Sequence, residues 1–219
     1  MFRLAAFDLD GTLKAVRDPY VYLHERLGTL AAAEAFTGKG ISGEISYEEW
    51  LRLDTGLWRG VRRSVLVEHL RRIPYVPGAV EVVEALRARG VTLAIISSGL
   101  LLHAQIVAEE LGFHVAIGNE IGFDADGPDP VANGQSWVHC AYGAKRPVLE
   151  AVQARLGIAP AETLAVGDTR SDIGLFERAA VGIAVNPKDP QVAAAATLVL
   201  PDPDLRPLLD WLERHWPKR

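Results

Sequence analysis

Cysteine is almost missing from this chain: Cys140 stands alone among 219 residues. One thiol excludes an intrachain disulfide framework and fits a reducing compartment. Lysine is also scarce, at five of the 23 basic residues, so a lysine at an element boundary is informative. The six histidines are scattered and pair with no cysteine at zinc-site spacing, which excludes a structural zinc module. Positive charge is not in excess. The net charge of −5 argues against a nucleic-acid or anionic-membrane partner, and the pairs Arg62-Arg63 and Arg71-Arg72 read as solvated helix faces. Residues 91–108 are the most apolar stretch, but Ser97-Ser98-Gly99, His103 and Gln105 interrupt it, so it reads as strand, turn and helix rather than a membrane span. Met1-Phe2-Arg3-Leu4 runs directly into apolar sequence and leaves no room for a signal peptide, so a cytoplasmic location is expected. Repeats and low-complexity tracts are absent.

What is present is a hydrophobic fraction of 49%, enough for a sizeable core, in a regular order of elements. Phe2 to Phe7 reads as a buried strand. From Pro77-Gly78 onward, helices and strands alternate: helix to Gly90, strand 91–96, helix 100–111, strand 114–117, helix 145–156, strand 163–166, helix 171–179, strand 181–185, helix 191–196, strand 197–200 and helix 205–216. Residues 119–137 read as a flap or hairpin. Such alternation predicts an α/β fold, a Rossmann-like parallel sheet with helices on both faces. Residues 14–77 break the pattern with helical stretches at 22–35, 47–53 and 61–73, jointed at Gly38-Lys39-Gly40 and Gly43. That is too long for a loop. The expected organisation is a core of 1–13 and 78–219 with a helical cap at 14–77, placed to cover the sheet edge.

Four places concentrate chemistry where strands should end. Asp8-Leu9-Asp10-Gly11-Thr12 follows the first strand. Two carboxylates at the carboxyl end of a core strand lie where open α/β sheets bind ligands. They call for a cation, and the oxygen donors suit Mg²⁺. An ordinary solvated Asp-Gly turn is the bland alternative. Ser97 ends the second strand and, with the amides of Ser98 and Gly99, could cap a helix and bind an anion. Lys145 opens a helix, where a point charge suits a phosphoryl oxygen. Gly167-Asp168-Thr169-Arg170-Ser171-Asp172 again sends acids out of a strand through glycine, with Asp168 placed to reach a metal and Asp172 to support it.

In this order the motifs resemble the haloacid dehalogenase superfamily of aspartate-nucleophile phosphotransferases, and Ala94-Ile95-Ile96-Ser97-Ser98-Gly99 with Gly118-Asn119-Glu120 is similar to its phosphoserine-phosphatase-like branch. The resemblance implies a phosphomonoesterase for a small phosphorylated metabolite. Asp8 would be the nucleophile and Asp10 the acid and base. Mg²⁺ would be held by Asp8, the carbonyl of Asp10 and Asp168. Ser97, Ser98 and Lys145 would bind the phosphoryl group, supported by Asp172 and Thr12. Asp10 favours phosphate esters, since a halide leaving group needs no proton. A phosphomutase sharing these residues, or a non-catalytic phosphate-binding module, are the alternatives. Phosphonate hydrolysis is disfavoured, because Lys14 and Lys39 fall in stretches read as flexible.

In the cap the likeness weakens. The family pattern calls for an acid at a position held by Arg17, with Asp18 beside it, and for an arginine at a position held by Asp54, with Arg52 nearby. Trp50 and Trp58 read as cap core before pocket lining. Phosphoserine is therefore expected to be a poor substrate.

Overall fold

The computed structural model describes residues 1–124 and 127–216, so Ala125 and Asp126 of the expected flap lie outside the described residues. β1 (Leu4–Phe7) has four buried apolar residues. It is flanked on both sides by parallel strands, β2 (Thr92–Leu100) and β5 (Thr163–Gly167). A strand with no solvated face carries a continuous apolar run instead of an alternating one. β3 (Val115–Phe123) lies beyond β2, and β4 (Ala132–Trp137) is the antiparallel edge. β6 (Val181–Val185) and β7 (Leu198–Leu200) extend the other side. The spatial order is β4-β3-β2-β1-β5-β6-β7. Chain order reverses between β1 and β5, so a crevice opens at their carboxyl ends.

Four helices separate β1 from the rest: α1 (Pro19–Leu27), α2 (Leu30–Ser42), α3 (Tyr47–Leu57) and α4 (Arg63–Arg71). The other helices are α5 (Ala79–Arg87), α6 (Leu101–Leu111), α7 (Lys145–Leu156), the short α8 (Ile173–Phe176) and α9 (Pro190–Ala195), and α10 (Arg206–His215). The pleat of β1 divides the core. Ala5 and Phe7 pack with Val83, Leu86, Val107 and Leu208 on one face, while Leu4 and Ala6 pack with Leu149, Leu175 and Val192 on the other. A third cluster joins Leu23, Trp58, Leu66 and Leu70 of the inserted helices to Leu100, Ile106 and Ile121. Among the described residues no helix is long and apolar enough to cross a membrane.

The expected α/β sheet is present, and several local expectations need correction. The helix expected at 22–35 is two helices, because Gly28 takes a left-handed φ of 70° and ends α1. Gly38-Lys39-Gly40 lies within α2 instead of forming a joint, and Gly40 lets the Trp50 ring pack against the bare backbone. β2 runs on through Ser97 to Leu100, so Ser97 does not cap the following helix. The helix expected at 171–179 is a 3₁₀ turn, Arg170–Asp172, followed by the single turn of α8. The flap at 119–137 is a β3–β4 hairpin.

Candidate active site

Asp8 leaves β1 with its N–H still donated to the Val166 carbonyl of β5, at 2.9 Å, so the sheet ladder fixes where its side chain starts. The carboxylate is buried and accepts from Lys145 Nζ at 2.5 Å. Lys145 also donates to Asp172 Oδ1 at 2.6 Å. This lysine is 1% exposed, so the solvated helix-end reading is excluded. Burial works against its ammonium, but the carboxylates of Asp172 and Asp8 outweigh burial and hold it charged, above its ordinary range. Burial pushes Asp8 the other way, well above the usual carboxylate range; Lys145 opposes the shift, and the charges of Asp172, Asp168 and Asp10 add to it.

The turn after β1 is shaped by Gly11, whose φ is +93° and whose missing Cβ leaves room for the Asp168 carboxylate. Thr12 Oγ1 donates to Asp168 Oδ1 at 3.2 Å. Asp172 Oδ2 accepts from the N–H groups of Asp168 and Thr169, at 3.0 and 2.9 Å. One of its oxygens thus ties the loop and the other holds the lysine.

Ligand atoms of Asp8, Asp168 and Asp172 lie within 4.8 Å of one another. Three carboxylates stand against the Lys145 ammonium and the Arg17 guanidinium, which leaves negative charge in excess in a buried site, and burial pushes Asp168 up to about 7, with the Asp172 charge adding to it. Asp168 Oδ2 is buried without a hydrogen-bond partner among the described residues. Arg17 Nε stands 3.2 Å from that oxygen without hydrogen-bond geometry, and its guanidinium donates to the Asn186 carbonyl at 2.7 Å. An unsatisfied buried oxygen inside a hard-donor cluster with excess negative charge fits a divalent, oxygen-seeking cation. Asp8 and Asp168 of the expected set are brought together here with Asp172; the Asp10 ligand expected there is its main-chain carbonyl, not its carboxylate.

The Asp10 carboxylate is held elsewhere. Ser97 Oγ donates to Oδ2 at 3.2 Å, and His103 Nδ1 lies 2.9 Å from Oδ1. Ser97 Oγ also accepts from the Gly99 N–H at 2.8 Å. The Ser98 carbonyl accepts from Tyr47 Oη at 2.5 Å and from Asn119 Nδ2 at 2.7 Å. Asn119 Oδ1 in turn takes the N–H groups of His139 and Cys140, each at 3.0 Å. His103 and the Asn119 network were not found in the sequence. In the apolar run His103 stands out only as a polar interruption, and Asn119 only as part of a short likeness. Cys140 is buried, and burial pushes its thiol up to about 11, which excludes a thiolate nucleophile at neutral pH.

These groups face one cavity of about 570 Å³, lined at the sheet edge by Asp8, Asp10, Ser97, Ser98 and Lys145 and on the helical side mainly by α1, α2 and α3. Arg17, Asp18 and Asp54 also line it. Asp18 caps α1, accepting from the N–H groups of Tyr20 and Val21. Arg52 does not line it: the side chain is exposed and bonded to Glu49 at 2.6 Å. Trp50 lines the cavity, whereas Trp58 is fully buried. Lys14 is not flexible. It is buried, with Nζ donating to the Ile73 carbonyl at 2.8 Å over the Tyr75 ring. Lys39 is exposed.

A profile of the haloacid dehalogenase-like hydrolases matches residues 5–177. The chain belongs to that family. Within it, the chain stands with the phosphatases of the phosphoserine-phosphatase-like branch. It is 30% identical over 187 residues to the phosphoserine phosphatase of Archaeoglobus fulgidus, covering 85% of this chain but only 53% of that one, about half its length. The match to the phosphoserine phosphatase of Albidiferax ferrireducens is also 30%, over 85% of this chain and 80% of the relative. Among solved structures, a substrate-bound phosphoserine phosphatase superposes with a TM-score of 0.80 at 25% identity, over 96% of this chain and 98% of the other. A phosphoserine phosphatase described as a phospho-aspartyl intermediate analogue gives 0.78 at 26% identity over the same shares.

Proposed function

We propose that the chain is a Mg²⁺-dependent phosphomonoester hydrolase that forms an aspartyl-phosphate on Asp8 and acts on a small phosphorylated metabolite. The observation that carries this reading is the buried Asp8–Lys145–Asp172 chain facing an otherwise open cavity. A carboxylate there is a nucleophile already held by a cation, whereas the buried Asp10 carboxylate is bonded to Ser97 and His103.

The roles follow from position. Asp8 attacks phosphorus as the ester oxygen departs opposite it. Asp10, its carboxylate oriented by Ser97 and His103, gives the departing alcohol a proton and later takes one from the water that cleaves the acyl phosphate. Lys145 stays charged throughout and offsets charge on the transferred oxygens, with Ser97 and Ser98 at the phosphoryl end of the cavity. The carboxylates of Asp8 and Asp168 and the main-chain carbonyl of Asp10 would hold Mg²⁺, with Asp172 beside them. Bound there, the ion supplies the positive charge that lets an anionic phosphate approach an acidic floor. Thr12 and Asp172 keep Asp168 and Lys145 in place. Residues 14–77 act as the cap that shields this chemistry from water.

The test is phosphate release from p-nitrophenyl phosphate with and without Mg²⁺. Hydrolysis that depends on the ion and stops with a chelator supports the reading. Metal-free protein that turns over equally well contradicts it.

A further inference from the structure

The sheet edge of the cavity is used up by phosphoryl transfer, but its helical wall is not. That wall is largely apolar, through residues such as Leu30, Ala33, Ile41 and Ile45, and it carries the acids Asp18 and Asp54; the arginine in the lining, Arg17, donates to the Asn186 carbonyl at 2.7 Å. Asp54, on α3, is 5% exposed and faces the cavity. Its Oδ1 is 2.9 Å from His24 Nε2, and among the described residues nothing donates to its Oδ2. His24 Nδ1 accepts from Trp58 Nε1 at 3.1 Å and lies 2.7 Å from Thr29 Oγ1, which fixes the ring with Nε2 toward Asp54. His24 thus engages one oxygen of Asp54 and not the other. Asp18 adds a second acid to the same cavity.

The cations are engaged at the other end. Lys145 is shared by Asp8 and Asp172, and Arg17 is turned toward Asp168 and the Asn186 carbonyl. A substrate carboxylate placed beside Asp54 and Asp18 would face like charge, while Lys145 and Arg17, the cations lining the cavity among the described residues, are bonded to other groups. An ammonium would meet Asp54 and Asp18 beside the rings of Tyr20, Tyr47 and Trp50, a setting that favours cations. Burial raises the Asp54 carboxyl while His24 lowers it, so a cation brought beside it gains more than one at the surface.

We propose that this cavity selects phosphomonoesters of small amino alcohols that lack a carboxylate, with the ammonium on Asp54 and the chain on the apolar wall. The proposal rests on the phosphatase reading above, and the experiment separates the two. With the full chain and Mg²⁺, kcat/KM is measured for aminoethyl phosphate, its neutral isostere propyl phosphate, phosphoserine and p-nitrophenyl phosphate. Aminoethyl phosphate is expected to exceed both propyl phosphate and phosphoserine by at least about tenfold, the scale of one desolvated charge contact. In Asp54→Asn the ratio of aminoethyl to propyl phosphate should fall toward one. Because the ratio is read within one protein, a general loss of activity cancels. The wild-type ranking decides the matter even if that variant does not fold. Phosphoserine as the better substrate, or aminoethyl phosphate no better than propyl phosphate, overturns the proposal while p-nitrophenyl phosphate turnover leaves the phosphatase reading standing. Phosphate release from none of the four overturns both.

Discussion

The two walls of the cavity are built on opposite principles. At the sheet edge each charged group is bonded to a side chain from a distant part of the chain: Asp8 to Lys145, Lys145 to Asp172, Asp168 to Thr12, Asp10 to Ser97 and His103. On the helical wall the surface is mostly apolar, and its one buried acid, Asp54, has an oxygen to spare. The first wall is rigid chemistry set by topology. The second is packing, and packing sets which molecule reaches the chemistry. Damage to the two should therefore look different: loss of turnover for any ester at the sheet edge, and changed ranking between esters at the helices.

The largest effect should come from Asp8→Asn, which removes the nucleophile. Activity should drop by about four orders of magnitude or more with every substrate, and near-normal turnover would break the comparison outright. Lys145→Ala comes next. It leaves Asp8 and Asp172 facing each other in a buried site, so about 3–5 kcal/mol of stability should go, measured by denaturant unfolding, together with about a hundredfold or more of kcat. An unchanged unfolding midpoint would mean that the lysine is not the cation that holds this wall together.

How much of each wall could be read in the sequence follows the same division. Asp8, Asp10, Lys145, Asp168 and Asp172 were legible because each stands beside a run of buried strand or helix residues with a glycine or helix start to mark it. Ser97 was found for a partly wrong reason, since the strand continues past it instead of giving way to a helix. His103 was missed because its partner is 93 residues away, and Asn119 because its bond to Tyr47 spans 72. No local periodicity encodes such distances. The helical wall was least legible. Of the four cap positions singled out, Arg17, Asp18 and Asp54 line the cavity and Arg52 does not, and only the packed structure says which face of a helix is inside.

Smaller effects sharpen the picture. His103→Ala should lower kcat about ten- to a hundredfold for alkyl phosphates and much less for p-nitrophenyl phosphate, whose leaving group scarcely needs the proton that Asp10 supplies. Partial rescue by His103→Asn would confirm that orientation of Asp10 is what was lost, and equal losses for both esters would argue for a general structural role.

The pH dependence of stability tests the excess of negative charge. Asp168 is raised from 3.8 to about 7, chiefly by burial and then by Asp172, so its folded state binds the proton more tightly than the unfolded chain does. That contribution is complete below the unfolded value and is lost as pH rises through about 7. The metal-free protein should therefore melt about 4–8 °C lower at pH 8 than at pH 5, the equivalent of roughly 2 kcal/mol in a chain of this length. Mg²⁺ should raise the melting temperature more at pH 8 than at pH 5. Equal stabilisation at both would contradict that excess. The smallest effect belongs to Arg52→Ala. Among the described residues its side chain bonds only the exposed Glu49, so the unfolding midpoint and every kcat/KM should stay unchanged within error.

The most direct measurement is rapid acid quench of the working enzyme followed by peptide mapping in a mass spectrometer. One phosphoryl group should appear during turnover on the peptide that contains Asp8, and should be missing from Asp8→Asn treated identically. A phosphoryl group on any other residue, or turnover that leaves the Asp8 peptide unmodified at every quench time, would contradict an account in which this buried carboxylate attacks phosphorus.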